Sequence, residues 1–135
     1  MIEEETTGRL DFEALRDAIE RCEADVLIGF YSEEAELRVL NAASPDGPAF
    51  ELHGKAEIER YLCAVCDQEM SCTVEGEIVF GEECIIFEEM CAYPDGTLIS
   101  VETTLEVHEG RISRQRDVVE RSSGRIDREV SPGGL

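Results

Sequence analysis

Residues 71–120 read SCTVEGEIVF GEECIIFEEM CAYPDGTLIS VETTLEVHEG RISRQRDVVE. Four runs rich in β-branched and aromatic residues, 72–80, 84–93, 97–108 and 111–121, are separated by Gly81-Glu82, Pro94-Asp95-Gly96 and Glu109-Gly110. That is the pattern of successive β-strands joined by tight turns. The first half reads mainly as helices, so the element order predicts an α+β fold. A curved antiparallel sheet wraps around N-terminal helices as a cone with an internal pocket.

At 135 residues the chain is expected to be one domain closing a single core. The 32 acidic residues outnumber eleven arginines and the single Lys55, for a formal net charge of −20. Such a surface repels phosphate backbones and anionic headgroups, so neither nucleic acid nor membrane is an expected partner. Met1-Ile2-Glu3-Glu4-Glu5 has neither a basic region nor an apolar run, and no stretch approaches the roughly 20 apolar residues of a membrane span. A cytoplasmic location follows as the expectation. In that compartment Cys22, Cys63, Cys66, Cys72, Cys84 and Cys91 are expected to be free, mostly buried thiols.

Residues 1–9 and 122–135 are polar or rich in Ser, Gly and Pro and are expected to be flexible, leaving 10–121 as the folded domain. From Asp11, a plausible N-cap, Phe12, Leu15, Ile19 and Cys22 fall on one helical face. A short helix through Val26, Leu27 and Phe30 follows. Residues 35–40 alternate as an edge strand would, and 41–48 form a turn-rich loop. Gly54 opens a third helix whose stripe is Ile58, Tyr61, Leu62 and Val65.

Strand alternation decides what lines a pocket. Ile85, Phe87, Glu89, Cys91 and Tyr93 share one face of their strand, and Ile99, Val101, Thr103, Leu105 and Val107 form the apolar face of the next. In the last strand two sets compete, Ile112, Arg114, Arg116 and Val118 against Ser113, Gln115, Asp117 and Val119. Periodicity does not choose between them.

Three strings carry a resemblance to a known family: Val26-Leu27-Ile28-Gly29-Phe30-Tyr31-Ser32-Glu33-Glu34-Ala35, His53-Gly54-Lys55-Ala56-Glu57-Ile58 and Glu109-Gly110-Arg111-Ile112-Ser113-Arg114-Gln115-Arg116-Asp117. In order and spacing they resemble the nuclear transport factor 2-like superfamily, in particular its small SnoaL-like bacterial members, over about residues 10 to 121. The resemblance implies a cystatin-like cone and a homodimer paired through the sheet. It does not fix the activity, since the superfamily holds isomerases, epoxide hydrolases, polyketide cyclases, dehydratases and proteins without known activity.

The family's functional positions are mostly changed here. The isomerases' base and oxyanion aspartates fall at Val39 and Thr103, and their helical tyrosine falls near Leu15. The epoxide hydrolases' paired arginine and aspartate fall at Glu89 and Cys91. Only their last-strand aspartate has a counterpart, Asp117. Both known activities are therefore broken, while the resemblance puts Asp117, Glu89, Cys91 and Thr103 on the pocket side.

Two carboxylates in an apolar cavity push each other's proton affinities apart. Asp117 and Glu89 are thus the candidate catalytic pair for a cofactor-free cyclase, isomerase or dehydratase acting on a small apolar carbonyl or polyketide-like molecule. Tyr31, Val39, Cys91, Thr103 and Val119 are the candidate substrate-binding residues. The competing expectation is a non-catalytic ligand-binding or dimerisation module, with an ion pair of Arg116 to Asp117 or Arg114 to Glu89 filling the cavity. Cys91 reads better as a small buried apolar residue than as a nucleophile, and Tyr31 and Tyr61 better as core edges than as anchors. Cys63-Ala64-Val65-Cys66 with Cys72 lacks an evident fourth ligand, and the Glu82-Glu83 and Glu88-Glu89 pairs lack an Asp-rich loop, so no metal is expected. His53 reads as a loop or capping residue and His108 as solvated.

Overall fold

The computed structural model describes residues 10–44, 46–47, 50–80 and 83–123. The element order is α1 (Phe12–Arg21), α2 (Ala24–Leu27), a 3-10 turn (Ile28–Phe30), β1 (Tyr31–Asn41), β2 (Phe50–His53), α3 (Lys55–Cys66), β3 (Ser71–Phe80), β4 (Cys84–Ala92), β5 (Thr97–His108) and β6 (Arg111–Ser123). The six strands form one sheet in the order β2-β1-β6-β5-β4-β3. The helices lie against one face of it, giving a cone-shaped α+β fold.

Local chemistry sets the boundaries. Asp11 caps α1 through its carboxylate, which accepts from the Ala14 amide at 3.1 Å, satisfying one of the orphan donors of the first turn. Glu57 reaches back from the first turn of α3 to the His53 amide at 2.8 Å. Gly54 precedes α3 at φ 93°, a conformation open to glycine and poorly tolerated by side chains. Glu109 and Gly110 both have positive φ, 54° and 79°, as a two-residue hairpin turn that follows strand twist requires.

The core lies between helices and sheet. Leu15 and Ala18 of α1, Ile58 of α3, Tyr31, Ala35 and Leu37 of β1, Val74 of β3, Ile85 and Phe87 of β4, Leu105 and Val107 of β5 and Ile112 of β6 are buried together. Phe12 meets Phe87 edge-on with ring centroids 5.4 Å apart, which fixes the odd-numbered face of β4 as the helix side. Glu20 of α1 accepts from the Val74 amide at 2.9 Å, tying the helix to the outermost strand β3.

Several expectations are corrected. The sheet is mixed, because β1 pairs in parallel with β6 while every other neighbour is antiparallel. β1 begins at Tyr31 and lies inside the sheet, so 35–40 is no edge strand. The edge on that side is β2, four residues that fall between the expected 41–48 loop and the helix expected from Gly54. The 84–93 strand ends at Ala92, and β6 extends to Ser123, two residues into the expected tail. The remainder of that tail, residues 124–135, and the expected flexible start, residues 1–9, lie outside the described residues.

The undecided face of β6 is resolved by a bulge. Glu106 pairs with Arg114 while Val107 pairs with Ile112, so Ser113 is an extra residue in β6. Its hydroxyl donates to the Glu106 carbonyl at 3.1 Å. The inward set therefore mixes the two alternatives, with Ile112 joining Gln115, Asp117 and Val119. Arg114 and Arg116 face outward.

Candidate functional site

The inward face carries a polar patch inside an apolar wall. Asp117 sits opposite Thr103 on β5 and beside Val39 on β1, and Val119 sits opposite Val101. Glu89 lies two strands away on β4, opposite Val101 and next along its own face from Phe87 and Cys91. Alternation thus brings Asp117, Thr103, Glu89, Cys91, Val39 and Val119 to one side of the sheet, and Tyr31 joins them from the start of β1. Asp117 is 7 % exposed and Thr103 is 0 % exposed. Glu89 is half-buried, and burial is the main cause that raises its proton affinity.

A hydrogen-bond relay holds Asp117. The Tyr31 hydroxyl donates to Gln115 Oε1 at 2.5 Å, and Gln115 Nε2 donates to Asp117 Oδ1 at 3.0 Å. Tyr31 and Gln115 are both buried, so the carboxylate is oriented by groups largely shielded from solvent.

The two carboxyls differ in proton affinity. Burial raises Asp117 to about 6, against the lowering effect of the Gln115 and Thr103 hydrogen-bonding groups. Burial also raises Glu89, to about 8, with further upward contributions from the charges of Asp117 and Cys72. Both carboxyls thus bind protons more tightly than free carboxylates, and Glu89 the more tightly of the two, so the pair titrates as a unit. Burial first, then the same two carboxylates, raise the Tyr31 phenol well above its usual range and the Tyr61 phenol to about 12.

Thr103 Oγ1 lies close enough to lower both carboxyls, yet it meets no partner in good hydrogen-bond geometry. Among the described residues it is the buried side-chain polar atom left unsatisfied. Proximity alone does not make a hydrogen bond. A hydroxyl in that position is available to a bound molecule.

Among the described residues no arginine neutralises the pair. Arg114 lies on the opposite face with Glu36 at 3.8 Å and Glu106 at 3.7 Å, and Arg116 is exposed there. The expected pairs of Arg116 with Asp117 and Arg114 with Glu89 do not form. His53 is exposed between Glu36 and Glu51, and His108 is exposed beside Glu109. Glu88, in contrast to Glu89, points outward and accepts from Ser100 at 2.7 Å.

Two clefts open elsewhere. A groove of about 290 Å³ lies between Glu36, Arg38, Glu51, His53, Arg114 and Arg116 on the outer face. A shallower one of about 460 Å³ lies by Glu69, Met70, Ser71, Tyr93 and Pro94. Neither is lined by Glu89 or Asp117.

The thiols are not mostly buried: Cys91 is buried, Cys63 exposed and the other four half-buried. Cys66 faces Cys22 with sulfurs 2.7 Å apart, and Cys72 faces Cys91 at 2.6 Å. Among the described residues, Cys72, Glu89 and Cys91 are the group whose ligating atoms lie mutually within 4.8 Å. Two thiolates held about 2.3 Å from one tetrahedral zinc stand well over 3 Å apart, so the spacing of these two sulfurs does not fit a shared cation.

Gln115 and Tyr61 are the residues of this patch that sequence reasoning missed. Gln115 lies two residues before Asp117, on the same face by strand alternation, and that spacing was the available signal. Tyr61 comes from α3, where the buried stripe of that helix points it at the core without marking it as a site residue.

No protein-family model matches the chain, and no curated protein matches it. Solved structures do. A nuclear transport factor 2-like protein of unknown function from Mesorhizobium loti superposes with a TM-score of 0.69 at 17% identity, covering 80% of this chain and 86% of that one. A Kribbella flavida protein provisionally named a ketosteroid isomerase gives 0.64 at 15% identity, covering 80% and 73%. A Xanthomonas campestris pv. campestris protein provisionally named a polyketide cyclase gives 0.59 at 18% identity, covering 79% and 85%. The fold of this chain is that of the nuclear transport factor 2-like superfamily. At these identities the likeness establishes the fold, and the chemistry must be argued from the residues.

Proposed function

We propose that the inward face is a cofactor-free acid–base site for a small, largely apolar carbonyl or polyketide-like molecule. The observation that carries this reading is that Asp117 and Glu89 share the inward face of the sheet with no described cation against either, and burial pushes both proton affinities up. In the proposed step Asp117 carboxylate takes a proton from carbon beside the carbonyl. The Glu89 carboxylic acid donates to the oxygen or carbon that gains electron density, and the Thr103 hydroxyl holds the carbonyl. Tyr31 acts through Gln115 to position Asp117. Val39, Cys91 and Val119 supply apolar contact. An isomerisation, dehydration or ring closure each needs this proton traffic, and the relatives' names are compatible with any of them.

The reading includes a homodimer, formed through the outer face of the sheet, and a cytoplasmic protein. No described helix is long and apolar enough to cross a membrane. A second reading is a ligand-binding or dimerisation module without catalysis, favoured by the groove of about 290 Å³ on the outer face, which is lined away from the carboxyls.

Carboxyl-detected NMR titration tests the proposal, with Asp117→Asn and Glu89→Gln assigning the signals. The expected result is one carboxyl titrating near 8 and a second near 6. Addition of small cyclic ketones should then shift both. If both carboxyls titrate at or below about 4, the ordinary range, the acid–base mechanism is refuted and the module reading replaces it.

A further inference from the structure

Four of the six cysteines come together in pairs, although they belong to four separate elements. Cys72 on β3 and Cys91 on β4 are directly opposite in the antiparallel ladder, which sets their Cα atoms about 4.5 to 5.5 Å apart. That lies within the span a disulfide bridges. Their sulfurs approach to 2.6 Å on the inward side. Cys22 and Cys66 close a second pair between the end of α1 and the last residue of α3, with sulfurs 2.7 Å apart.

The backbone at Cys22 adds an independent sign. Cys22 ends α1 in the left-handed region at φ 53°, where glycine is the usual occupant and a side chain is strained. This cysteine is held there, and the conformation carries its sulfur to Cys66. The two pairs are also neighbours. Charge on Cys72 acts on Cys66, and charge on Cys22 acts on Cys91. Cys63 and Cys84 form no such pair among the described residues.

We infer that Cys72–Cys91 and Cys22–Cys66 are two thiol–disulfide redox centres that react with small disulfides of the glutathione class. Cys72 is half-buried and Cys91 is buried, so Cys72 meets the reagent first. The Cys91 sulfur beside it lowers its proton affinity, which favours the attacking thiolate. The Cys72 thiolate attacks one sulfur of the disulfide RSSR, forming a mixed disulfide and releasing RS⁻, which leaves as RSH with the proton Cys72 gave up. Cys91 then attacks the Cys72 sulfur, its own proton leaving with the second RSH. The protein dithiol loses two electrons and two protons, and RSSR becomes two RSH. The same exchange closes Cys22–Cys66. Oxidation would staple α1 to α3 and the edge strand β3 to β4, both around the inward face. The inference does not depend on the carboxyl pair being catalytic.

The test uses the full chain, reduced and then equilibrated with oxidised and reduced glutathione over a range of ratios. Thiols are trapped by alkylation under denaturing conditions, and intact mass and peptide maps are read. The expected oxidised form has two alkylatable thiols instead of six, is four hydrogens lighter, and carries the links 22–66 and 72–91. Cys72→Ser should abolish only its own link and Cys22→Ser only the other, while a Cys63→Ser, Cys84→Ser double variant keeps both. Six alkylatable thiols at the most oxidising ratio would overturn the inference. So would links running mainly through Cys63 or Cys84, or zinc that co-purifies and protects the same four thiols until chelated.

Discussion

Replacing Glu89 by Gln keeps the shape of the side chain and removes its charge, so it isolates the cost of burying a carboxylate on the inward face. In the unfolded chain Glu89 titrates near its usual 4.5, and in the folded chain near 8. The folded state therefore binds more protons between those values, and stability falls as pH rises through that window. The penalty is absent below it and complete above about pH 8. At about 1.4 kcal/mol per pH unit its ceiling is about 5 kcal/mol, and local relaxation brings the expected loss to about 2 to 5 kcal/mol. Urea unfolding at pH 5, 7 and 9 measures it. With a urea slope of about 1 to 3 kcal/mol per molar, the wild-type midpoint should drop relative to Glu89→Gln by about 1 to 3 M between the extremes. The wider repulsion among surface carboxylates is common to both proteins and cancels in the difference. If the two midpoints run parallel across pH, Glu89 ionises without cost and is not enclosed, and the proposed division into acid and base fails with it.

Thr103→Val removes a buried hydroxyl that has no bond to lose, so urea unfolding should show it unchanged or stabilised by about 1 kcal/mol; a destabilisation above that size would mean the hydroxyl is bonded. Tyr31→Phe takes the donor from buried Gln115 Oε1 and should cost about 1 to 3 kcal/mol of unfolding free energy, and an unaltered midpoint would rule out the relay.

The strands of the second half were legible because each is long, apolar on one face and bounded by residues with a specific turn geometry. Pro94-Asp95-Gly96 closes through the Gly96 amide to the Tyr93 carbonyl at 3.0 Å, and Glu109-Gly110 takes the positive φ its turn needs. β2 was not legible because its four residues are mostly exposed at the sheet edge, leaving no alternation to read. The parallel pairing of β1 with β6 joins segments over 70 residues apart, from Leu37 to Gln115 for example, and no local pattern encodes a partner at that distance. β6 defeated periodicity because one bulged residue, Ser113, moves Ile112 to the parity of Gln115 and Asp117. Of the site, the members placed by strand alternation were readable. The cysteine pairs were not, since partners 44 and 19 residues apart are brought together only by packing.

The carboxyl pair also bears on the choice between a catalytic and a structural role. This chain carries 32 acidic residues, and water solvates a surface carboxylate without penalty. A carboxylate held inside for structural reasons would be expected to face a cation, because an unpaired buried charge costs more than its attractions return. Here Arg116, next to Asp117 in β6, is exposed on the opposite face, and Arg114 is engaged there with Glu36 and Glu106. Asp117 is instead oriented by two neutral groups in series, Tyr31 and Gln115. Neutral orientation leaves the proton affinity high while fixing the direction of the lone pairs, which suits a base that must take a proton and give it back. An apolar side chain at either position would remove the cost of burying a charge, so two unpaired carboxyls suit the proposed chemistry on this face better than support of the fold.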